Sequence, residues 1–416
     1  MYPFDLRQIM RLLARLDKLS FLVMLLLLGM GLLFIRCAGM EYHSVKFPTR
    51  WLIQAVFIGI GLVLYFACAL ADYRQLGRYS WAIFAGGLVL LSMVFVSGGK
   101  DYGARSVLRL PGMAVQVSEP MKAATLLFIA WALSHPLLKF SNISPLVIWG
   151  AIISLPFGII ALQHDMGTGL QFLPFSFAIL FVNGLKKRWL LIIAIVIACS
   201  LPFLYLVLKP YQKQRIVVFV KEPCEMAIFA VGSLFGEERE AQMQQSFDAV
   251  YAQMKDSIRD KDGNRIEPDN WNAEQSLRTV AIGGLHGLGY TNGRQHTLGY
   301  LPRTVAPTDF IFAVICEESG LLGALVAIFF FVVYITLTFR TALRANDDFG
   351  ASIAVGAAVL VASHCIINMG MCIGLSPIIG IPLPFVSYGG SCLLGMLLVA
   401  GLVQSVHIHT IVQPKE

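Results

Sequence analysis

Apolar segments long enough to cross a bilayer recur along this chain, near 19–38, 51–71, 81–98, 120–137, 145–162, 168–184, 189–208, 308–339, 350–373 and 385–407. Spanning takes about 20 apolar residues in helical form. Lipid offers the backbone no hydrogen-bond partner, so each crossing segment has to close its own hydrogen bonds as a helix. The pattern predicts an all-α integral membrane protein, with about ten transmembrane helices and one long extracytoplasmic loop. Composition excludes a soluble globule: 57% of residues are hydrophobic and 14% charged, against about a quarter charged in soluble domains. The chain divides into 1–208 (helices 1–7), the loop 209–307 and 308–416 (helices 8–10), forming one membrane domain.

Basic residues set the expected orientation. Arg7, Arg11, Arg15 and Lys18 precede the first apolar run. Arg74 and Arg78, Lys139, Lys186-Lys187-Arg188, and Arg340 with Arg344 fall on the same side. Positive loops stay cytoplasmic, which places both termini inside. This accounts for the net charge of +7 without nucleic acid as a partner. The first apolar run lacks a small-x-small cleavage site and reads as a retained helix rather than a signal peptide. Eight cysteines (37, 68, 199, 224, 316, 365, 372 and 392) show no paired metal spacing and read as small buried hydrophobes.

Four informative segments share the other face: 99–119, the turn Gln163-His164-Asp165-Met166-Gly167-Thr168, the loop 209–307, and Gly374 to Gly390. A site is expected where they meet. Residues 236–260 carry apolar positions at amphipathic spacing and predict a surface or interfacial helix. Asp260-Lys261-Asp262-Gly263 resembles half of a calcium loop. Ile258 would then hold the first ligand position and Asp269 the twelfth, where Glu is expected, so no metal site is read there. No P-loop, nucleophile elbow or His-Glu-x-x-His motif occurs, and the histidines form no cluster.

The stretch from Thr308 to Glu318 places Asp309, Glu317 and Glu318 at the head of an apolar run continuing to Thr338. A carboxylate in a bilayer costs about 2.5–3.5 kcal/mol on insertion scales, so it normally faces a cavity, a partner or a substrate. Asp309, at the mouth of the run, is the first candidate for chemistry. Ser118 is placed to cap a helix that opens with Glu119 and Pro120. Glu119 and Lys122 share a helix face, either as a salt bridge at the membrane edge or as the acid and cation of a cavity. Asp165 is either a turn cap or a cavity carboxylate.

Lys209, Lys213 and Arg215, with Gln212 among them, lie outside against the charge trend and either meet headgroups or hold an anionic substrate. Gly283-Gly284-Leu285-His286-Gly287-Leu288-Gly289 is either a flexible loop or a place where backbone amides approach a phosphate. Pro377, Gly380, Pro382, Pro384 and Ser387-Tyr388-Gly389-Gly390 break the helix near the outer face. Irregular backbone at that depth needs a covering of protein or a watery cavity.

In chain order, Gln116-x-Ser118-Glu119-x-x-Lys122, Gln163-x-Asp165-x-Gly167-Thr168 and Lys209-x-Tyr211-Gln212-x-x-Arg215 are followed by two longer motifs. These are Thr308-Asp309-Phe310-Ile311-Phe312-Ala313-Val314-x-x-Glu317-Glu318-x-Gly320 and Pro382-Leu383-Pro384-Phe385-x-Ser387-Tyr388-Gly389-Gly390. Together they resemble the SEDS family (shape, elongation, division and sporulation), which includes RodA and FtsW. Gly380-Ile381-Pro382-Leu383-Pro384 is closer to the RodA branch, although the sequence does not separate elongation from division.

The resemblance implies a ten-helix glycosyltransferase of the bacterial cytoplasmic membrane that polymerises lipid II into glycan strands on the outer face. It also implies a class B penicillin-binding protein that crosslinks the product, and other elongation-complex membrane proteins, as partners. The family's essential Asp falls on Asp309, its cavity Glu and Lys on Glu119 and Lys122, its second cavity Asp on Asp165 and its loop Arg on Arg215. Lys209, Gln212 and Ser387 stand in the same motifs as substrate-binding candidates. Departures are Val117 for Pro, Gly103-Ala104-Arg105-Ser106-Val107 without the family's Arg-Trp in register, Arg303 for Glu with extra residues up to Pro307, His364 for Gln, and a larger insertion around 236–268.

The implied reaction inverts the anomeric centre, with Asp309 as general base and its pKa raised by partial burial. Lys122 and Arg215, with Lys209 behind them, are expected to stabilise the departing lipid pyrophosphate. A divalent cation, Mg or Mn, held by Glu119 or Asp165 is a further candidate for that task. Two other readings use the same residues: a flippase or transporter of the lipid-linked precursor, and a non-catalytic scaffold of the wall-synthesis complex.

Overall fold

The computed structural model describes residues 6–38, 40, 49–101, 104–110, 113–136, 144–185, 237–256 and 271–412, with isolated positions between 189 and 228. The first half carries α1 (Leu6–Ala14), α2 (Lys18–Cys37), α3 (Arg50–Leu70), α4 (Tyr73–Arg78) and α5 (Ser80–Ser97). Three strands follow, β1 (Gly98–Asp101), β2 (Ala104–Leu110) and β3 (Met113–Gln116). Next come α6 (Ser118–Ser134), α7 (Ser144–Leu162), α8 (Met166–Leu170) and α9 (Phe172–Val182). The second half carries α10 (Glu237–Asp256), α11 (Trp271–Gly283), α12 (Arg294–Thr297), α13 (Ile311–Arg344), α14 (Asp348–Cys372) and α15 (Gly390–Val412).

Among the described residues, six helices are long and apolar enough to cross a membrane: α2, α3, α7, α13, α14 and α15. Ser80–Val96 and Met166–Val182 are shorter apolar stretches, and α6 has 17 residues. The chain is thus predominantly helical and membrane-spanning, as its apolar runs predict. All but the first residue of the run at 189–208, the basic positions Lys139 and Lys186-Lys187-Arg188, and the calcium-like segment at 260–263 lie outside the described residues. The amphipathic pattern at 236–260 is realised as α10.

Four local expectations are corrected. The 99–119 segment is not a plain loop but an antiparallel sheet in the order β1-β2-β3, with Gly98 opposite Leu108 and Val107 opposite Gln116. The 168–184 run is divided into α8 and α9 around Gln171. Ser118 does not cap α6: Val117 holds the N-cap position without a side-chain bond, and the buried Ser118 hydroxyl has no hydrogen-bond partner. The long run from Thr308 is not one straight rod, because Gly320 takes φ 66° and ψ −166° inside α13.

Packing follows from the solvent. Lipid tails are as apolar as Leu, so helix association in a membrane relies on close contact and small residues. Leu22, Val63 and Leu343 point outward on spanning helices. Inside, α3 and α15 touch through glycine: a Cβ on Gly401 would stand 2.6 Å from the Tyr65 carbonyl oxygen. Gln404 of α15 also exchanges two hydrogen bonds with the Asp17 backbone at the start of α2, at 3.2 and 3.1 Å.

The kink in α13 is satisfied by the glycine-rich segment 283–289. Amides of Leu288 and Gly289 donate to the carbonyls of Glu317 and Glu318, both at 2.9 Å. Leu321 and Leu322 donate in return to Gly284 and Leu285, at 2.9 and 3.2 Å. These amides serve the fold, so the segment is not the phosphate cradle its glycines leave open. The glycines permit the close approach: a Cβ on Gly283 would lie 1.9 Å from the Cys316 oxygen. Gly283→Ala is therefore expected to cost about 3 kcal/mol or more through forced separation of the two backbones. Gly150→Ala, with nothing within 4 Å of the new Cβ, should be neutral or mildly stabilising. Thermal unfolding of both variants in one detergent checks the contrast.

Candidate functional site

The turns ahead of α13 deliver Asp309. The Val305 carbonyl accepts from the Asp309 and Phe310 amides at 3.0 and 3.1 Å, so the chain is already coiled when the helix begins. Two neighbouring elements then clamp it. Asn368 of α14 donates through Nδ2 to the Asp309 carbonyl at 2.9 Å and to the Ile381 carbonyl at 2.7 Å. Ser387 donates to the Thr308 carbonyl at 2.5 Å and accepts from the Leu383 amide at 2.8 Å. Gln54 of α3 donates to the Ser387 carbonyl at 3.1 Å and accepts from the Gly389 amide at 3.2 Å. The broken segment 380–389 is thus satisfied by buried amides and a hydroxyl, as irregular backbone at membrane depth requires.

Asp309 is half-buried and lines a cavity of about 820 Å³, within the range typical of small-molecule sites. Its walls come from the start of α3 (Ile53, Val56, Phe57, Ile60), the sheet (Val107, Gln116), Glu119, Thr168 and Gln171, and the 380–392 segment. Gly380 passes close to the carboxylate: a Cβ there would stand 3.4 Å from Asp309 Oδ2, and its φ of +78° also favours glycine. The lining includes two carboxylates, Asp309 and Glu119, and no Lys or Arg among the described residues.

Lys122 is not on that wall. It is 1% exposed and sits behind Glu119, donating to Glu119 Oε1 at 2.9 Å and to Gln171 Oε1. Its third neighbour is His364 Nε2 at 3.2 Å. An ammonium only donates, so Nε2 accepts, and the His364 Nδ1–H is left for the Pro382 carbonyl at 3.3 Å. All three Lys122 protons are therefore engaged. The lysine fixes Glu119 and Gln171, which do line the cavity, and leaves no proton for a ligand. The structure resolves the two readings of the pair as a buried ion pair under the cavity wall, and places the departure His364 within it.

Asp165 behaves as a cap. Its Oδ1 accepts from the Thr168 amide at 3.3 Å and hydroxyl at 2.9 Å, and its Oδ2 accepts from Gln116 Nε2 at 3.2 Å. It does not line the cavity, but it orients Gln116 and Thr168, which do. Ser387 likewise lies behind the wall, as the link between Thr308 and Leu383. Lys209, Gln212 and Arg215 lie outside the described residues. Arg303, standing where the resemblance expects Glu, donates to the Thr297 carbonyl at 3.1 Å, while its own carbonyl accepts from Arg50 at 2.7 Å.

Sequence reading passed over Gln54, Gln116, Gln171, Asn368 and Arg50. Gln54 and Asn368 carried a usable signal, since each is an amide inside an otherwise apolar run, where polar side chains are costly and seldom idle. Arg50 lies 5.9 Å above the Tyr388 ring at the cavity margin, and only the tertiary fold brings it there. Ser387→Ala removes the donor to the Thr308 carbonyl and leaves the buried Leu383 amide unpaired. It should cost about 1–3 kcal/mol, seen as a lowered thermal midpoint, with Ser387→Thr closer to wild type.

A polytopic membrane protein with a half-open cavity of small-molecule size, mostly apolar but carrying two carboxylates on its wall, is what the fold and site define. The chain belongs to the FtsW/RodA/SpoVE family of cell cycle proteins, whose pattern matches residues 17–256 and 252–411. It is 28% identical to the peptidoglycan glycosyltransferase RodA of Treponema pallidum, over 94% of this chain and 97% of that protein. It is 29% identical to the probable peptidoglycan glycosyltransferase FtsW of Geobacter metallireducens, over 94% of each chain. Among solved structures it resembles a chain from a study of how a peptidoglycan synthase complex coordinates polymerization and crosslinking. The TM-score is 0.70 at 24% identity, covering 95% of this chain and 98% of that one.

Proposed function

We propose that this protein is a peptidoglycan glycosyltransferase of cell elongation, joining lipid II-linked glycan to a lipid II acceptor with inversion and releasing lipid pyrophosphate. The observation that carries the reading is Asp309. It is a carboxylate on the wall of an 820 Å³ cavity, held by α14 and the 380–389 segment, in a chain whose relatives bear that enzyme's name.

The acceptor hydroxyl oxygen bonds to the donor anomeric carbon as the bond from that carbon to the pyrophosphate oxygen breaks. Asp309 takes the hydroxyl proton, a role that needs hydrogen-bond reach to the attacking oxygen. Glu119, Gln116 and Gln171 present acceptors and donors to the sugars, their positions set by Lys122 and Asp165. Charge on the leaving pyrophosphate calls for cations; Arg50 at the margin and Arg215 and Lys209 of the loop are the assigned ones.

Asp165 does not suit a divalent cation, since both its oxygens are engaged and it lies off the wall. Glu119 does line the wall, and there a Mg or Mn ion would share the pyrophosphate charge. Short basic loops on the opposite side support an outward-facing cavity in the bacterial cytoplasmic membrane, with both termini inside. A class B penicillin-binding protein is the assigned crosslinking partner.

The test is polymerisation of lipid II by the purified protein in liposomes, with and without its transpeptidase. Long glycan supports the reading. No glycan, with partner and divalent ion both supplied, rejects it in favour of lipid transport or scaffolding.

A further inference from the structure

Among the described residues, one buried cluster of ligand-type side chains plays no part in the cavity. Cys37 ends α2, His296 lies in the short α12, and Glu317 and Glu318 stand two turns into α13, next to the kink at Gly320. His296 and Glu317 are 0% exposed and Glu318 is 2% exposed. The Cys37 sulfur, a His296 ring nitrogen and a Glu318 oxygen all lie within 4.8 Å of one another. Both glutamates pair with His296 and, among the described residues, with no other cation.

The hydrogen bonds account for part of this cluster and leave a gap at its centre. His296 Nδ1 is 2.8 Å from Glu317 Oε2, while Glu317 Oε1 accepts from the Gln295 amide at 2.7 Å. Glu318 Oε1 accepts from the Gly293 amide at 3.2 Å. His296 Nε2 and Glu318 Oε2, both buried, have no hydrogen-bond partner. Nε2 sits 3.2 Å from Glu318 Oε1 without hydrogen-bond alignment. Gly293 keeps the space open, because a Cβ there would lie 2.3 Å from the His296 ring.

We propose that Cys37, His296 and Glu318 form a structural site for a borderline-soft divalent cation, zinc being the best match, with Glu317 as the carboxylate behind the histidine. Thiolate, imidazole and carboxylate are the ligands zinc takes together, and its ligand atoms sit about 3.3–3.7 Å apart in a tetrahedron. A carboxylate on the far nitrogen fixes the tautomer and turns the other lone pair to the metal. The site is separate from any divalent ion of the cavity. It would tie the end of α2 to α12 and to the helix that follows Asp309. It also revises the reading of Cys37 as a plain buried hydrophobe. The competing metal-free arrangement is an ion-pair cluster: burial lowers the His296 pKa, but the two glutamates outweigh it and push the value up to about 9. In that arrangement the Cys37 thiol donates only to the Phe34 carbonyl of its own helix, at 3.2 Å.

The experiment measures metal content of the detergent-purified full chain, carrying a tag free of histidine, after dialysis against a mild chelator. One zinc per chain is expected, with a thermal midpoint that falls by several degrees on strong chelation and recovers with added zinc. Cobalt substitution should give a thiolate-to-cobalt absorption band that Cys37→Ala abolishes. Cys37→Ala is the decisive variant, since it is small and leaves the His–Glu pairs intact; the wild-type stoichiometry and chelator response depend on no variant. A chain without zinc whose midpoint ignores both chelator and zinc overturns the proposal, as does zinc retained in Cys37→Ala. None of these readouts depends on glycosyl transfer, so the proposed activity and the metal site stand or fall separately.

Discussion

Asp309→Asn is expected to slow glycan polymerisation by about 10²–10⁴-fold, the range for loss of a general base, while the protein stays inserted and folded. Asn keeps the size of the side chain, and the backbone contact that fixes this residue is made by its carbonyl, through Asn368. The clamp from Ser387 acts on Thr308 and is likewise untouched. What Asn lacks is the capacity to take a proton. The measurement is a single-turnover rate at saturating lipid II, beside the thermal midpoint of each protein. A group that only binds substrate would tolerate Asn with a modest change in KM. Wild-type turnover in Asp309→Asn would therefore remove Asp309 as the general base of the reaction.

The second large effect is on stability. Lys122→Met should destabilise the protein by roughly 3–5 kcal/mol, because it leaves Glu119 charged, 3% exposed and unpaired. It also strips Gln171 and His364 of their shared donor. Adding Glu119→Gln to Lys122→Met should recover most of that loss, since removing both charges of a buried pair is far cheaper than removing one. Activity should not return with stability, because Glu119 also lines the cavity. A double-mutant cycle on thermal unfolding, run beside the polymerisation assay, separates the two. Additive losses would mean that the ion pair is not what holds this wall.

These effects meet at one wall. Glu119 is both a cavity carboxylate and the partner of a lysine whose other bonds reach the junction of α8 and α9, through Gln171, and α14, through His364. Of these, α14 also shapes the 380–389 segment beside Asp309, through Asn368 and His364. Substitution at His364, far from any lining residue in sequence, is thus expected to disturb the cavity from behind.

Much of the molecule is legible in the chain. Lipid forces long apolar runs into helices, so α2, α3, α7, α13, α14 and α15 could be placed, with the ends of α13 and α15 lying further along the chain than the apolar runs suggest. An acid at the mouth of such a run is costly, which singled out Asp309 before any contact was known. What the sequence left open or misread shares a cause. Ser118, Asp165 and Lys122 all stand in one polar motif set, and sequence spacing does not say which side chains turn toward open space. Asp165 turned to its own helix end, Lys122 turned inward to three acceptors, and Ser118 lost the cap position to Val117. The sheet at 98–116 was missed because its strands are short and glycine-rich at one edge, which weakens alternation.

Sequence by itself determined that this is a multi-helix membrane protein with an acid at the head of α13 and a broken segment before α15. The physical reason is local: a bilayer penalises every unpaired backbone group and every charge, so exceptions are visible one residue at a time. The tertiary structure alone decided which exceptions share a wall. The cavity joins residues from α3, the sheet, α6, α8 and the 380–392 segment. Cys37, His296 and Glu318, far apart in the chain, converge where α2 packs on α13 beside the pairing of the 283–289 segment with the kink at Gly320. Such convergence depends on close packing between distant segments, and no period or spacing in the chain encodes it.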